Sequence, residues 1–479
     1  MAFSYELFKS PSESIRLLTI EPDVDERLIC CTIDHYEFSS THAHQVCPAY
    51  TAVSYTWSPV TPRQTIKLNG RNISVGYNLW LLLTHLRRAG DQSLVWVDAL
   101  CIDQDNVLEK NAQVSIMRLI YQQASQIFAW LGEASIGMQP LGESKPSFEA
   151  EAGSDAVIKK LNDHQEIGPP TGVYVQDTLG GELSASSVSL WNGLASLCAR
   201  NYWKRTWILQ EISQNPDSVT VHCGTHNMKL NTLRREIRRA LDKLRNFLQY
   251  GKVDVSGCPA ESNLEKETYG SGLKQQLRKR ADEISKNTLL TSPMEWNELP
   301  LLTWFQIASH TFCSDPRDKV YSVVDLANGA TRHTVHQKHG KKVKFIQPDY
   351  SKSTSALLWE VLTHCCESVD HHALDIRLIR YLTSCLEISI HEIQHMLDKR
   401  TSDCPAHLFN GHGGSWEWVA GHYREIPGTA GRRNELHGNI FTPRVDFGMM
   451  STAGSMPNPR DIRQRALHLR AGVGTQHMW

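Results

Sequence analysis

Between Tyr50 and Gly132 two kinds of apolar run alternate, and that alternation restricts the chain to one broad class of fold. "YTAVSYTW" (Tyr50 to Trp57), "LVWV" (Leu94 to Val97) and "QIFAWLG" (Gln126 to Gly132) are short and almost continuously apolar, as strands covered on both faces are. Between them the period changes to that of a helix. "NLWLLLTHLRRAG" carries Leu79, Leu82, Leu83 and Leu86 on one side before Gly90 ends it. After Asn106, whose spacing to Glu109 is that of a capping box, Val114, Met117, Ile120 and Tyr121 share a face. Strand, helix, strand, helix, strand in about 80 residues predicts an α/β fold, with a parallel sheet, right-handed crossovers and flanking helices.

The same reasoning extends outward. "IRLLTI" (Ile15 to Ile20), "RLICCTI" (Arg27 to Ile33) and "SVTVHCG" (Ser218 to Gly224) are expected strands. Leu190 to Ser213 is expected to form two helices broken near Asn201, and Asn231 to Tyr250 an amphipathic helix. Residues 133–187, rich in Gly, Ser, Pro and Glu, predict a surface insertion, and residues 251–290 a polar linker. This divides the chain into an α/β domain over 1–250, a helical continuation over 251–400 and an irregular tail over 401–479.

Lys and Arg total 50 against 51 Asp and Glu, so no net field draws the chain to nucleic acid or to anionic membrane. No apolar run approaches the roughly 20 residues of a spanning helix, and the first residues lack the pattern of a secretory signal. The twelve cysteines include no C-x-x-C, which predicts reduced thiols in a cytoplasmic protein. Phosphate-loop, dinucleotide-loop and nucleophile-elbow motifs are missing. "HEIQH" (His391 to His395) matches the zinc-hydrolase pattern, with Glu392 as base, on a stretch where Leu382, Leu386, Ile390, Ile393 and Leu397 keep helical spacing. The extended pattern fails, because Asp398 and Thr401 stand at the further Gly and His positions. In a chain with 22 histidines a chance match has a probability of about 0.05, so no metal is expected here.

Chemistry is better sought where strands end. Asp98, Cys101, Asp103 and Gln104 crowd the end of the Leu94 strand, and ligands of open α/β sheets bind beyond the carboxyl ends of strands. Tyr55 and Trp57 end the neighbouring strand and would supply a stacking wall. Asp98 and Asp103 have the alternative of capping the next helix. Cys101 has no histidine near it in sequence and reads as a packed thiol.

Three blocks, "YTAVSYTWSP", "LVWVDALCIDQDNVLEKNAQVSIMRLIYQQASQIFAWLG" and "RNYWKRTWILQEIS", resemble the successive signatures of the fungal heterokaryon-incompatibility (HET) domain. "SDPRDKVYSVVDLA" and "PDYSKS" resemble segments that often follow it, and Ser58 stands where the first block usually has Gly. The resemblance implies a death-signalling protein of non-self recognition. Its partner would be an incompatibility protein or upstream receptor, with self-association as its mode of action. Through the relation of HET to TIR domains it implies a flavodoxin/TIR-like sheet and, as one option, NAD as substrate rather than cofactor. TIR domains carry W-x-x-x-E after their third strand, the Glu being catalytic in NAD-cleaving members; Trp207 and Glu211 have that spacing. The implied site is therefore Glu211 as catalytic carboxylate, with Tyr55, Trp57, Asp98, Asp103, Gln104, Arg205 and Trp207 binding ligand. The competing role for Glu211 is an ion pair with Arg205 or Arg200 that braces the helix on the sheet.

Overall fold

A computed structural model describes residues 3–22, 28–38, 47–57, 62–90, 93–133, 154–162, 185–213, 215–250, 263–292, 299–326, 337–338, 341–342, 346–368, 376–389, 392, 416–419 and 422–425. They fall into two compact units, Met1–Gly411 and His412–Trp479. In the second, Trp416–Val419 pairs antiparallel with His422–Glu425.

The first unit is built on one mixed sheet of nine strands. In chain order these are β1 (Ser14–Ile20), β2 (Cys30–Glu37), β3 (Tyr50–Tyr55), β4 (Arg63–Leu68), β5 (Arg71–Gly76), β6 (Leu94–Trp96), β7 (Gln126–Trp130), β8 (Val219–Cys223) and β9 (His226–Lys229). Their spatial order is β5-β4-β2-β1-β6-β3-β7-β8-β9. The three apolar runs that fix the fold class lie side by side and parallel, with β3 between β6 and β7. β8 extends that block in parallel on β7. Counted along the chain, the four parallel strands stand in the order 2-1-3-4, so the direction of winding reverses at β3.

The outer strands depart from the parallel expectation. β1 runs antiparallel to both β2 and β6, and β9 returns antiparallel on β8. The β4–β5 hairpin is an element that apolar periodicity passes over. Its signal is Asn69-Gly70, whose φ values of 49° and 73° are those of a type I′ turn between two strands.

Helices cross between the parallel strands: α1 (Tyr77–Arg88), the single turn α2 (Asp98–Cys101), α3 (Val107–Gln123), α4 (Ser154–Asn162), α5 (Ala185–Ala199) and α6 (Ile208–Ser213). The break expected near Asn201 is a 3-10 turn, Asn201–Lys204. Tyr50 and Tyr121 hydroxyls donate to the Ile120 and Val53 carbonyls at 2.6 and 2.8 Å, fastening α3 to β3. The Asn106 side chain accepts the Glu109 amide at 3.2 Å, as a capping box requires. The return half of the box is replaced, because Glu109 turns inward to Arg16 on β1.

The polar stretch over residues 251–290 is not a plain linker. It contains α8 (Asn263–Ser285), which follows α7 (Leu230–Tyr250) and precedes α9 (Thr288–Thr291). Leu277, Ala281 and Ile284 of α8 are buried. A stripe that narrow on an otherwise charged helix leaves little apolar signal in the sequence. Further on, α10 (Leu301–Ser309), α11 (Asp318–Val324), α12 (Thr354–Ser368) and α13 (Ile376–Cys385) form the helical continuation. Arg317 ties its segments together, donating to Asp315 and to the carbonyls of Tyr350 and Lys352 at 2.6, 2.6 and 2.7 Å. No helix among the described residues is long and apolar enough to cross a membrane.

Candidate functional site

β3 ends where the winding reverses, and polar side chains from three separate stretches meet there. Ser54, next to last on β3, donates to Glu211 Oε2, and its oxygen lies 2.7 Å from the Tyr202 hydroxyl. The serine proton is already committed, so Tyr202 is the donor of that second bond. Arg205 grips the same carboxylate with both ends of its fork, at 2.9 and 2.8 Å. Glu211 is wholly shielded from solvent, whereas 15% of the Arg205 side chain is exposed. Ser54 and Tyr202 were not singled out by the sequence, since neither residue type is unusual in its segment.

The 3-10 turn and α6 hold this constellation in place. Phe312 bridges Arg205: its amide donates to the Lys204 carbonyl at 2.6 Å and its carbonyl accepts the Thr206 amide at 3.1 Å. Thr206 and Thr311 hydroxyls meet at 2.8 Å, and Gln210 donates to the Tyr321 carbonyl at 3.1 Å. The segment leading into α11 therefore backs the site directly. Trp207 hydrogen-bonds Asp318 at the start of α11. Although Trp207 and Glu211 stand four residues apart, the indole reaches α11 while the carboxylate reaches β3. Arg200, the other suggested partner of Glu211, donates instead to the carbonyls of Leu131 and Glu133 at 2.8 and 3.0 Å.

Asp98 opens the turn after β6 and is only half-buried. Its carboxylate accepts Trp57 Nε1 at 3.1 and 3.3 Å and the Ala99 amide at 2.7 Å. Burial, helped by the negative charge of Glu211 and opposed by Arg205, pushes its pKa up to about 6. Gln104 donates to the Asp98 carbonyl at 3.0 Å and so shapes the same turn. Asp103 takes the modest role: its side chain accepts the Asp105 amide at 3.3 Å, two residues on. Cys101 is a buried thiol that accepts the Val97 amide at 3.3 Å, and burial pushes its pKa up to about 12. It is packing, not a nucleophile.

A cavity of about 410 Å³ adjoins this turn. Tyr55, Trp57 and Gln104 wall it, joined by Ile73 and Val75 of the β4–β5 hairpin and by Phe3 and Tyr5. Side chains alternate along a strand, so Ser54 and Tyr55 leave β3 on opposite faces. The Glu211 cluster lies on the Ser54 face and the cavity on the Tyr55 face, with Asp98 within electrostatic reach of both Tyr55 and Glu211. The expected site residues are thus neighbours at one strand end, divided by the sheet.

The helical spacing that leads into the zinc-like motif is interrupted before the motif begins. α13 stops at Cys385, and Glu387 takes a left-handed φ of 55°. Glu392 exchanges hydrogen bonds with Ser389: its carboxylate accepts the Ser389 amide at 2.7 Å, and its amide donates to the Ser389 hydroxyl at 3.2 Å. That is a capping box, which occupies the would-be general base. His391 and His395 lie outside the described residues. No group of three metal-ligating side chains occurs among the described residues.

A mixed sheet whose parallel strands present a buried ion-paired carboxylate on one face and an aromatic-lined cavity on the other defines an α/β domain with a candidate ligand cavity. Its kinship narrows that class. The family described as "Heterokaryon incompatibility protein (HET)" matches residues 50–211. That stretch opens with β3 and closes on Glu211, so its two ends meet in the Ser54–Glu211 hydrogen bond. "Heterokaryon incompatibility protein 6, OR allele" of Neurospora crassa is 32% identical over 179 residues, covering 34% of this chain and 25% of that protein. The chain therefore spans about a quarter of the length of that curated relative. No solved structure matches it. Residues 50–211 are thus the part of the chain that is similar to the HET family.

Proposed function

We propose that the chain acts in heterokaryon incompatibility, as a cytoplasmic death-signalling module of non-self recognition. The supporting observation is that the family stretch closes on itself through Ser54, Tyr202, Arg205 and Glu211, forming a structural unit rather than a scatter of conserved-looking words. In its chemical form the proposal is cleavage of the nicotinamide–ribose bond of NAD at the end of β3. The C–N bond breaks with its electron pair leaving on nicotinamide, and water attacks the ribose carbon and gives up a proton. Asp98 is a fitting acceptor, being half-buried beside the cavity with a pKa of about 6. Tyr55, Trp57 and Gln104 would hold the ligand, and Glu211, on the other face of the sheet, would act at a distance, by fixing Arg205 and by keeping the Asp98 pKa raised.

A second reading is favoured by the complete burial of Glu211 in a two-bond ion pair. On that reading the cluster is a brace, and the domain signals by self-association without chemistry. Incubating concentrated, purified full-length protein with NAD and measuring nicotinamide separates the two. Release that is lost in Asp98→Asn supports cleavage at this strand end. Silence toward NAD in a protein that still kills cells and sediments as an oligomer rejects cleavage and supports the brace.

A further inference from the structure

The cavity on the Tyr55 face is closed in part by a segment that lies outside the family stretch. Phe3 and Tyr5 precede β1 by several residues, yet both line the cavity with Tyr55 and Trp57. They pack edge to face, with ring centres 4.8 Å apart. The Tyr5 hydroxyl donates to the Leu100 carbonyl at 3.0 Å, which joins the segment to the turn that carries Asp98.

What holds the segment is a buried cation. Arg16 on β1 is 1% exposed, and its guanidinium lies 4.7 Å from the Tyr5 ring centre and 4.0 Å from that of Phe8. The same group donates to the Glu6 carbonyl at 2.7 Å, to the Cys101 carbonyl at 3.0 Å and to both oxygens of Glu109. Segment, β1, the Asp98 turn and α3 are thereby locked to one charge. The Tyr5 ring is positioned from beneath by that charge, and Phe3 is held through its edge-to-face contact with Tyr5.

The wall composition limits what fits. Its aromatic side chains come from two separate stretches, Phe3 and Tyr5 from the first and Tyr55 and Trp57 from the end of β3, which suits a flat ring between them, and the volume lies within the range of small-molecule sites. Polar matter is sparse: Gln104 and Ser74 stand among the lining residues, and the exposed Arg63, the single cation among the described lining residues, is held there by Ser74, whose hydroxyl accepts Arg63 Nε at 2.7 Å. We infer that the cavity is a binding site for a planar aromatic ligand bearing an anionic group, and that Phe3 and Tyr5 form one of its two stacking walls. This rests on reading the cavity as the ligand site of the domain, but not on any cleavage reaction.

Two probes test it in the full chain: anilinonaphthalene sulfonate, a planar aromatic anion, and NAD as its competitor. The expected result is saturable binding of the dye, displaced by NAD, with the dissociation constant raised about tenfold or more in Phe3→Ala and in Tyr5→Ala. Tyr5→Phe, which loses only the bond to Leu100, should bind nearly as wild type, and this keeps the test sound if Tyr5→Ala folds poorly. Trp57→Leu should weaken binding from the opposite wall. Displacement by NAD without nicotinamide release would uphold the site while rejecting cleavage. Absence of saturable dye binding, or dissociation constants within twofold of wild type in both alanine variants, would overturn the inference.

Discussion

Replacing Glu211 by Gln isolates the charge of one carboxylate while nearly preserving its shape. Glu211 is completely buried and Arg205 almost so, and two bonds of 2.8 and 2.9 Å join them. Removing one partner of such a pair leaves a desolvated guanidinium without a counter-ion, at a cost of about 3–5 kcal/mol. The exposed 15% of Arg205 recovers some hydration, which places the expected loss near the lower end, about 3 kcal/mol. Unfolding entropy of about 2.1 cal/mol/K per residue, over a cooperative unit of roughly 350 residues, converts that into a melting point lower by roughly 4 °C. Arg205→Met alone should cost a similar amount, because it strands the carboxylate. The double variant removes both charges, so it should melt well above the sum of the two losses, with a coupling energy on the order of 3 kcal/mol. Calorimetry or denaturant titration of the four proteins reads the cycle. Strict additivity, or a Glu211→Gln variant that melts with the wild type, would refute the claim that this pair anchors α6 to β3.

Asp98 has its pKa raised from 3.8 to about 6, so the folded protein loses stability relative to the unfolded chain as pH rises across that window. Asp98→Asn should match the wild type at pH 4 and exceed it by up to about 3 kcal/mol at pH 7.5, as urea titrations at the two pH values would show. His222 has the opposite sign. Burial, reinforced by His85, lowers its pKa to about 3, so stability is full above about pH 6.5 and is lost as pH falls toward 3. Its ring stacks on Phe128 with centres 3.6 Å apart, so His222→Phe should keep the packing and remove an acid loss of about 3 kcal/mol between pH 7 and pH 4, visible in melting curves at the two pH values. Gly70→Ala forces a side chain to a φ of 73° with open space around it, so a cost of about 1 kcal/mol is expected from backbone strain alone. His391→Ala with His395→Ala should leave killing activity intact and metal analysis of the wild type without stoichiometric zinc; one bound zinc lost together with activity would overturn this.

The sequence by itself determined the class of fold, because the repeat of 2 in strands and 3.6 in helices is written in local order of apolar residues. Tyr50–Tyr55, Leu94–Trp96 and Gln126–Trp130 are strands for that reason. The family blocks were legible in the same way, as contiguous words. Other features left faint local traces, such as Asn69-Gly70 for the hairpin and the narrow stripe Leu277, Ala281 and Ile284 for α8. What only the tertiary structure decided was which side chains share an environment. Helical spacing puts Trp207 and Glu211 together, yet the chain sends one to Asp318 and the other to Ser54, because each indole or carboxylate follows the partner that satisfies it when water is excluded. In the same way Ser54 and Tyr55, adjacent in sequence, serve opposite faces of the sheet, and Tyr5 reaches the Asp98 turn across 95 positions of chain. Burial is a property of the assembled sheet, and it set the charge of Asp98 and the company of Glu211 where no local pattern reaches.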